Sequence, residues 1–103
     1  MSKRLDFLLA LTSSGKGDAF AWYGLAMEYR SLSRFDEAVA TFEKLRARHP
    51  DYLPMYLMCG QSLAGIGRID EAREWLSAGI DVARTASSDH SRSELEAALQ
   101  ALG

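Results

Sequence analysis

Apolar side chains recur every three to four residues along most of the chain, which is the period of an amphipathic helix. In segment 19–31 the apolar stripe consists of Trp22, Leu25 and Tyr29, and segment 35–48 repeats the spacing. An isolated helix of about 12–15 residues is marginal in water, so each stripe must be buried against another helix. Sustained alternation with a period of two is absent and β-branched residues are few. The pattern therefore predicts an all-α fold.

Short clusters of Ser, Gly, Pro and Asp interrupt the helical pattern and mark turns. They lie at residues 13–17, 31–34, 49–51, 65–68 and 86–89. Pro54 follows the third of these breaks and suits the first turn of a helix, where a missing N–H costs nothing. The breaks predict six helices.

The landmarks of the chain recur after 34 residues. Segment 34–38 aligns with segment 68–72 and shares its Arg, Asp, Glu and Ala, and Trp22 aligns with Tyr56. Outside this block the residues differ, but their size and polarity repeat. This is typical of a helical repeat protein, in which each repeat solves the same packing problem.

The first copy resembles the tetratricopeptide repeat, whose signature is W-x2-L-G-x2-Y, then A-x3-F, then P. The matching residues are Trp22, Leu25, Ala26, Tyr29, Ala38, Phe42 and Pro50, with Ala26 in place of the Gly. The second copy is looser and has Arg84 where the Pro would stand, which predicts a longer last helix of the repeat. The resemblance implies a right-handed α-α superhelix of helix-turn-helix repeats.

The resemblance also implies a division of the chain into repeats and caps. We expect a single domain, 1–103, with an N-terminal capping helix at 2–14, a first repeat at 19–52, a second repeat at 53–86 and a C-terminal capping helix at 89–102. Such solenoids usually need three or more repeats, and this chain has two. Leucines in the terminal helices would cover the exposed sides of the repeats. Alternatively, an end helix docks on a second copy and forms a dimer.

Small residues occur at matching positions of the two repeats, where the helices of each pair are expected to pack closely. Ala26 and Gly60 allow the second helix of each pair to approach closely, and Ala38 is the matching small residue on that helix. Gly67 suits a helix end that needs a positive φ. Ser33 occupies the equivalent place in the first repeat, so it either accepts strain there or adopts a different turn.

Composition narrows the class of protein further. The 103 residues suffice for one domain, and 48% apolar and 25% charged residues exclude a disordered chain. A pI near 5.6 argues against nucleic acid as a partner. The first residues predict an amphipathic helix rather than a signal peptide, because Asp6 interrupts a short apolar run. Neither an apolar run long enough for a membrane nor a second cysteine beside Cys59 is present, so we expect a cytoplasmic protein.

Motifs for catalysis or metal binding are absent from the sequence. His49 precedes Pro50 at a helix end and is expected to be a capping or surface residue. Asp89 and His90 are expected to belong to a helix start, and Cys59 to be a buried small hydrophobic residue. We therefore predict a protein that is not an enzyme and binds neither a cofactor nor a metal ion.

In the family, the first helix of each repeat lines a concave groove. The resemblance assigns this groove to Phe20, Tyr23, Met27, Arg30, Leu57, Met58, Gln61 and Ala64, with Asp51 and Tyr52 near the junction. These positions lie off the core stripe, so we expect them not to be needed for packing within the pair. Some members of the family bind a C-terminal carboxylate through Lys and Asn side chains in the groove. The corresponding positions in this chain are Tyr23, Met27 and Met58, which argues against carboxylate binding of that kind.

The resemblance predicts non-catalytic protein–protein interaction, with a peptide or amphipathic helix of another protein bound in the groove. An aromatic and methionine-rich groove would suit an apolar ligand. Two alternatives stay open at this point. In the first, the chain is a self-associating structural protein that forms a homodimer through its terminal helices. In the second, the groove is covered by the first helix or by a second copy of the chain.

Overall fold

The computed structural model describes residues 2–103, and the elements within this range are all helices and turns. The six helices are α1 (Lys3–Ser13), α2 (Ala19–Ser31), α3 (Phe35–Arg48), α4 (Pro54–Gly65), α5 (Ile69–Thr85) and α6 (Asp89–Ala101). The all-α prediction is confirmed, and the predicted segments 19–31 and 35–48 coincide with α2 and α3.

The helices fall into two compact units, one ending at Tyr52 and the other beginning at Leu53. In the first unit, α2 packs against both α1 and α3. In the second unit, α5 packs against α4 and α6, and α4 also contacts α6. Each unit is therefore three helices with a core of its own. The repeat boundaries inferred from the family stay a prediction.

The core of the first unit follows the predicted stripe. Trp22 is 8% exposed, and Ala26, Ala38 and Phe42 are completely buried. The Arg48 guanidinium lies over the Trp22 ring, 5.0 Å from its centroid, in the geometry of a cation–π contact. The expectation that Trp22 belongs to the core is thus confirmed.

Two glycines mark the closest helix approaches in the second unit. A Cβ added to Gly60 on α4 would lie 2.6 Å from Leu76 Cδ2 on α5, so the small residue is required there. A Cβ added to Gly79 on α5 would lie 2.5 Å from Tyr56 Cβ and 3.0 Å from Leu95 Cδ2. Gly79 therefore lies where α4, α5 and α6 meet, a role that the repeat pattern did not predict.

The turns after α2, α4 and α5 each contain a residue in the left-handed region, as do the ends of α1 and α6. Gly67 has a φ of 83°, as expected, and Ser33 and Ser87 have φ values of 59° and 54°. The Arg34 N–H donates to the Tyr29 carbonyl at 2.9 Å across the first of these turns. Of the two alternatives for Ser33, the structure adopts the strained one, because the same turn geometry is kept without a glycine.

An arginine–glutamate pair recurs at the start of α3 and α5. Arg34 Nε donates to Glu37 Oε1 at 2.6 Å, and Arg68 Nε donates to Glu71 Oε1 at 2.8 Å. Each guanidinium also donates to the second carboxylate oxygen of its glutamate, at 2.6 Å. These hydrogen bonds lower the pKa of Glu37 and of Glu71 below the usual value for a glutamate.

The end helices and α5 match further features of the sequence. Helix α5 has 17 residues against 14 in α3, because Arg84 does not stop the helix as Pro50 does after α3. Leu5 and Leu8 of α1 are buried, and so is Leu95 of α6. The terminal leucines thus cover core surface within their own units.

Candidate functional site

Helix α2 carries a second face beside the one buried in the core. Phe20, Tyr23, Met27 and Arg30 are spaced three, four and three residues apart and share this face. Phe20 is 71% exposed, although large apolar side chains are usually covered, and the other three are half-buried. We call these four residues the α2 face.

Tyr23 belongs both to the α2 face and to the packing of the first unit. Its ring centroid lies 5.4 Å from that of Tyr52 and 6.3 Å from that of Phe42 on α3, and both pairs are tilted. The expectation that none of these positions contributes to packing within the helix pair is therefore wrong for Tyr23. The sequence pattern did not indicate these two ring contacts.

The environment of Tyr23 also sets its protonation. Burial raises the pKa of the Tyr23 phenol, nearby Tyr52 raises it further, and Arg30 partly opposes both. Burial, followed by the carboxylate of Asp18, raises the pKa of Tyr52 as well. Both hydroxyls therefore stay protonated at neutral pH and are available as hydrogen-bond donors.

The predicted residues on α4 lie in the second unit. Leu57, Met58 and Ala64 are half-buried and Gln61 is exposed. Leu57, Gln61 and Ala64 are four and three residues apart and share one face of α4. We call Leu57, Gln61 and Ala64 the α4 face, with Met58 beside it. The assignment of the α2 and α4 faces to one groove remains a prediction.

A surface depression between α1 and α2 was not expected from the sequence. It has a volume of about 260 Å³ and is lined by Arg4, Phe7, Leu8, Leu11, Asp18, Phe20, Ala21 and Gly24. Phe7 is 66% exposed, almost as much as Phe20. The available signal was the spacing of Arg4, Phe7 and Leu11, which puts them on one side of α1, away from Leu5.

The residues considered for chemistry occupy ordinary structural places. Cys59 is completely buried, and His90 Nε2 lies 3.2 Å from Glu94 Oε1 on the surface of α6. Between residues 2 and 103, no group of three His, Cys, Asp or Glu side chains is arranged to hold a metal ion. None of the helices in this part of the chain combines the length and apolar character that crossing a bilayer requires.

Comparison with known proteins identifies the family. The tetratricopeptide repeat model matches residues 29–102, which is well over half of the chain. The chain therefore belongs to the tetratricopeptide repeat family, as its signature residues indicated. Domains with this fold commonly mediate protein–protein interactions and are typically non-enzymatic scaffolds.

Solved structures agree with this assignment. The crystal structure of a tetratricopeptide repeat domain protein from Salinibacter ruber is 32% identical, with a TM-score of 0.78, and the match covers 84% of this chain and 96% of that one. A solution structure of a tetratricopeptide repeat domain protein from the same organism is 33% identical, with a TM-score of 0.78 and coverage of 82% and 86%.

A third solved structure is similar in fold alone. A solution structure from Bordetella parapertussis has a TM-score of 0.84 and covers 99% of this chain and 89% of its own, at 22% identity. Comparison with curated proteins gave no match.

Proposed function

We propose that this chain is a non-catalytic interaction module that binds a peptide or an amphipathic helix of another protein. The α2 and α4 faces would contact the ligand, as the first helices of the repeats do in the family. The observation that supports the proposal most directly is that α2 has two apolar faces, of which only one is fully buried. This helix buries Trp22, Leu25 and Tyr29 in its core, yet leaves Phe20 71% exposed on a second apolar face. Exposed apolar surface of this kind commonly marks a binding site.

The side chains of the α2 face define the chemistry of the ligand. Phe20 and Met27 offer an aromatic ring and an adaptable thioether, which suit apolar side chains of a peptide. Arg30 lies near the Tyr23 phenol, whose pKa it lowers against the opposing effects. The two groups together offer a guanidinium and a hydroxyl donor for a carboxylate of the ligand. We therefore propose a peptide with an apolar anchor and an acidic residue near it.

Selection of peptides followed by affinity measurements tests this proposal. Peptides selected from a random library on the immobilised protein would be measured by calorimetry against the wild type and single variants. Met27→Ala and Gln61→Ala are expected to weaken binding about ten-fold or more, since few interface positions carry most of the energy. Neither side chain belongs to a core, so both variants should unfold at the wild-type urea concentration.

Lys44→Ala is the matched control, because Lys44 is exposed on α3 and lies on neither face. It should bind as the wild type does. Selected peptides that bind Met27→Ala and Gln61→Ala with unchanged affinity would refute the assignment of the two faces.

A further inference from the structure

The depression between α1 and α2 is part of a larger surface patch. The two helices run antiparallel, and this direction sets the order in which residues follow one another along the patch. Arg4 Nε lies 3.7 Å from Glu28 Oε1, near the end of α2, and Leu8 Cδ2 lies 3.5 Å from the Cβ position of Gly24, further toward its start. Thr12 lies beside Gly17, just before α2. Along the patch the order is therefore Arg4, Phe7, Leu11, Phe20 and Asp18. We call these five residues the α1–α2 patch.

The middle of the α1–α2 patch is apolar and combines projecting rings with a hollow. Phe7 and Phe20 are 66% and 71% exposed, the highest values among the large apolar side chains described. The hollow between the helices measures about 260 Å³. Pockets for small molecules and cofactors usually measure about 300–1,000 Å³, so this one suits single protein side chains better.

The two ends of the patch carry opposite charges. Arg4 is 67% exposed at its side chain, and Asp18 is exposed at the start of α2, where Oδ1 accepts a hydrogen bond from the Ala21 N–H at 2.9 Å. Asp18 and Gly24, over which the Arg4 guanidinium extends, are six residues apart, which is about 9 Å along a helix. The patch thus has an exposed basic side chain at one end, partly neutralised by Glu28, an apolar middle, and an acidic side chain at the other end.

A surface of this kind is complementary to itself. A two-fold axis through its middle would bring Arg4 of one copy opposite Asp18 of the other, and Phe7 opposite Phe20. Each copy would contribute two projecting rings and a hollow, and the Arg4–Asp18 pair would form twice. A partner of single charge would satisfy only one end of the patch.

We propose that the α1–α2 patch is the contact surface of a symmetric homodimer of this chain. A patch this small predicts a weak dimer that forms with increasing protein concentration. The dimer goes beyond the proposed peptide binding and uses a different helix, α1. Only Phe20 is shared, so self-association and peptide binding compete at that residue.

Sedimentation equilibrium from micromolar to about 1 mM protein tests the dimer directly. The wild type is expected to pass from monomer to dimer over this range. Phe7→Ala removes two rings per dimer and should raise the dissociation constant at least about ten-fold. Leu32→Ala is the matched control, since Leu32 is also exposed, at 43%, but lies outside the patch. This control should dimerise as the wild type does.

A double-mutant cycle tests the charge pairing. Arg4→Gln and Asp18→Asn should each weaken the dimer several-fold, and the double variant should be no weaker than the weaker single one. Asn keeps the hydrogen-bond acceptor that caps α2. Lys3→Gln makes the same charge change as Arg4→Gln at the neighbouring exposed position of α1 and should leave the dimer unchanged.

Three results would overturn the homodimer. These are a wild type that stays monomeric at every concentration, a Phe7→Ala variant that dimerises as the wild type does, and effects of Arg4→Gln and Asp18→Asn on the dissociation constant that are additive in free energy. If the chain stays monomeric and Phe7→Ala instead weakens a selected peptide, the patch belongs to the peptide site. The variants Met27→Ala and Gln61→Ala lie outside the patch, so the outcome for peptide binding is read separately.

Discussion

Replacing Gly79 by Ala should destabilise the protein, although the same change usually stabilises a helix. Ala favours a helix interior over Gly by about 1 kcal/mol. At position 79, however, the added methyl would lie 2.5 Å from Tyr56 Cβ and 3.0 Å from Leu95 Cδ2. Ordinary carbon contacts are about 3.5–4.0 Å, so α4 must shift at Tyr56 and the Leu95 side chain on α6 must also move.

The net effect follows from these two terms. Overpacking costs about 1–3 kcal/mol, and the upper end applies because Tyr56 Cβ is next to the backbone and cannot rotate away. Subtracting the helix preference leaves a loss of about 2 kcal/mol in the free energy of unfolding. The matched control is Gly24→Ala in α2, whose new methyl would meet only side-chain ends at ordinary contact distances, with Leu8 Cδ2 at 3.5 Å and Arg4 Nη2 at 4.0 Å. It should stabilise the protein by up to about 1 kcal/mol.

Urea unfolding followed by circular dichroism measures both variants at micromolar concentration. The two identical substitutions should differ by about 3 kcal/mol, which is about 12 °C in Tm for a chain of this size. Tryptophan fluorescence is a second probe, to which Trp22 contributes the signal of the first unit and Trp75, whose ring lies 5.7 Å from that of Tyr56, the signal of the unit that contains Gly79. If Gly79→Ala matches or exceeds the wild type in stability, the close meeting of α4, α5 and α6 is incorrect.

Three further predictions concern the core, a turn and an ion pair. Trp22→Ala should lower the free energy of unfolding by about 3–5 kcal/mol, measured by urea titration, and a loss below about 1 kcal/mol would place the indole outside the core. Ser33→Gly should raise it by up to about 1 kcal/mol by relieving the positive φ, and a lower Tm would contradict that strain. Hydrogen bonds from arginine lower the pKa of Glu37 and Glu71. The contribution of these pairs to the free energy of unfolding is therefore complete above the ordinary glutamate pKa, and it is lost as the pH falls through the lowered pKa of the folded state. Wild-type Tm should therefore fall more steeply than that of E37Q/E71Q below about pH 5, and parallel curves would exclude this contribution.

Most of the fold was predictable because local rules and packing agree along this chain. The apolar period and the turn residues placed α2 and α3 at their observed ends. The need for a small residue at Gly60 also followed from the repeat, since the same two helices must approach in every copy. These features depend on residues close together in the chain or on one recurring contact.

The candidate site was predictable only in part. Periodicity identifies the side of a helix that is apolar, but which apolar side chains are covered depends on where a neighbouring helix crosses. Tyr23 and Phe20 lie on the same predicted face, yet Tyr23 packs on Phe42 and Tyr52 while Phe20 remains 71% exposed. The spacing of these residues contains no information about that difference.

The sequence by itself determined that the chain forms helices, where they end, and which family they belong to. Only the tertiary structure decided that Phe7 and Phe20 flank one hollow, and that Gly79 lies at the meeting of three helices. The reason is physical. Helix formation and the period of an apolar stripe depend on neighbouring residues. The exposure of a side chain and the close approach of two helices depend instead on where helices cross, which is set by side chains far apart in the chain.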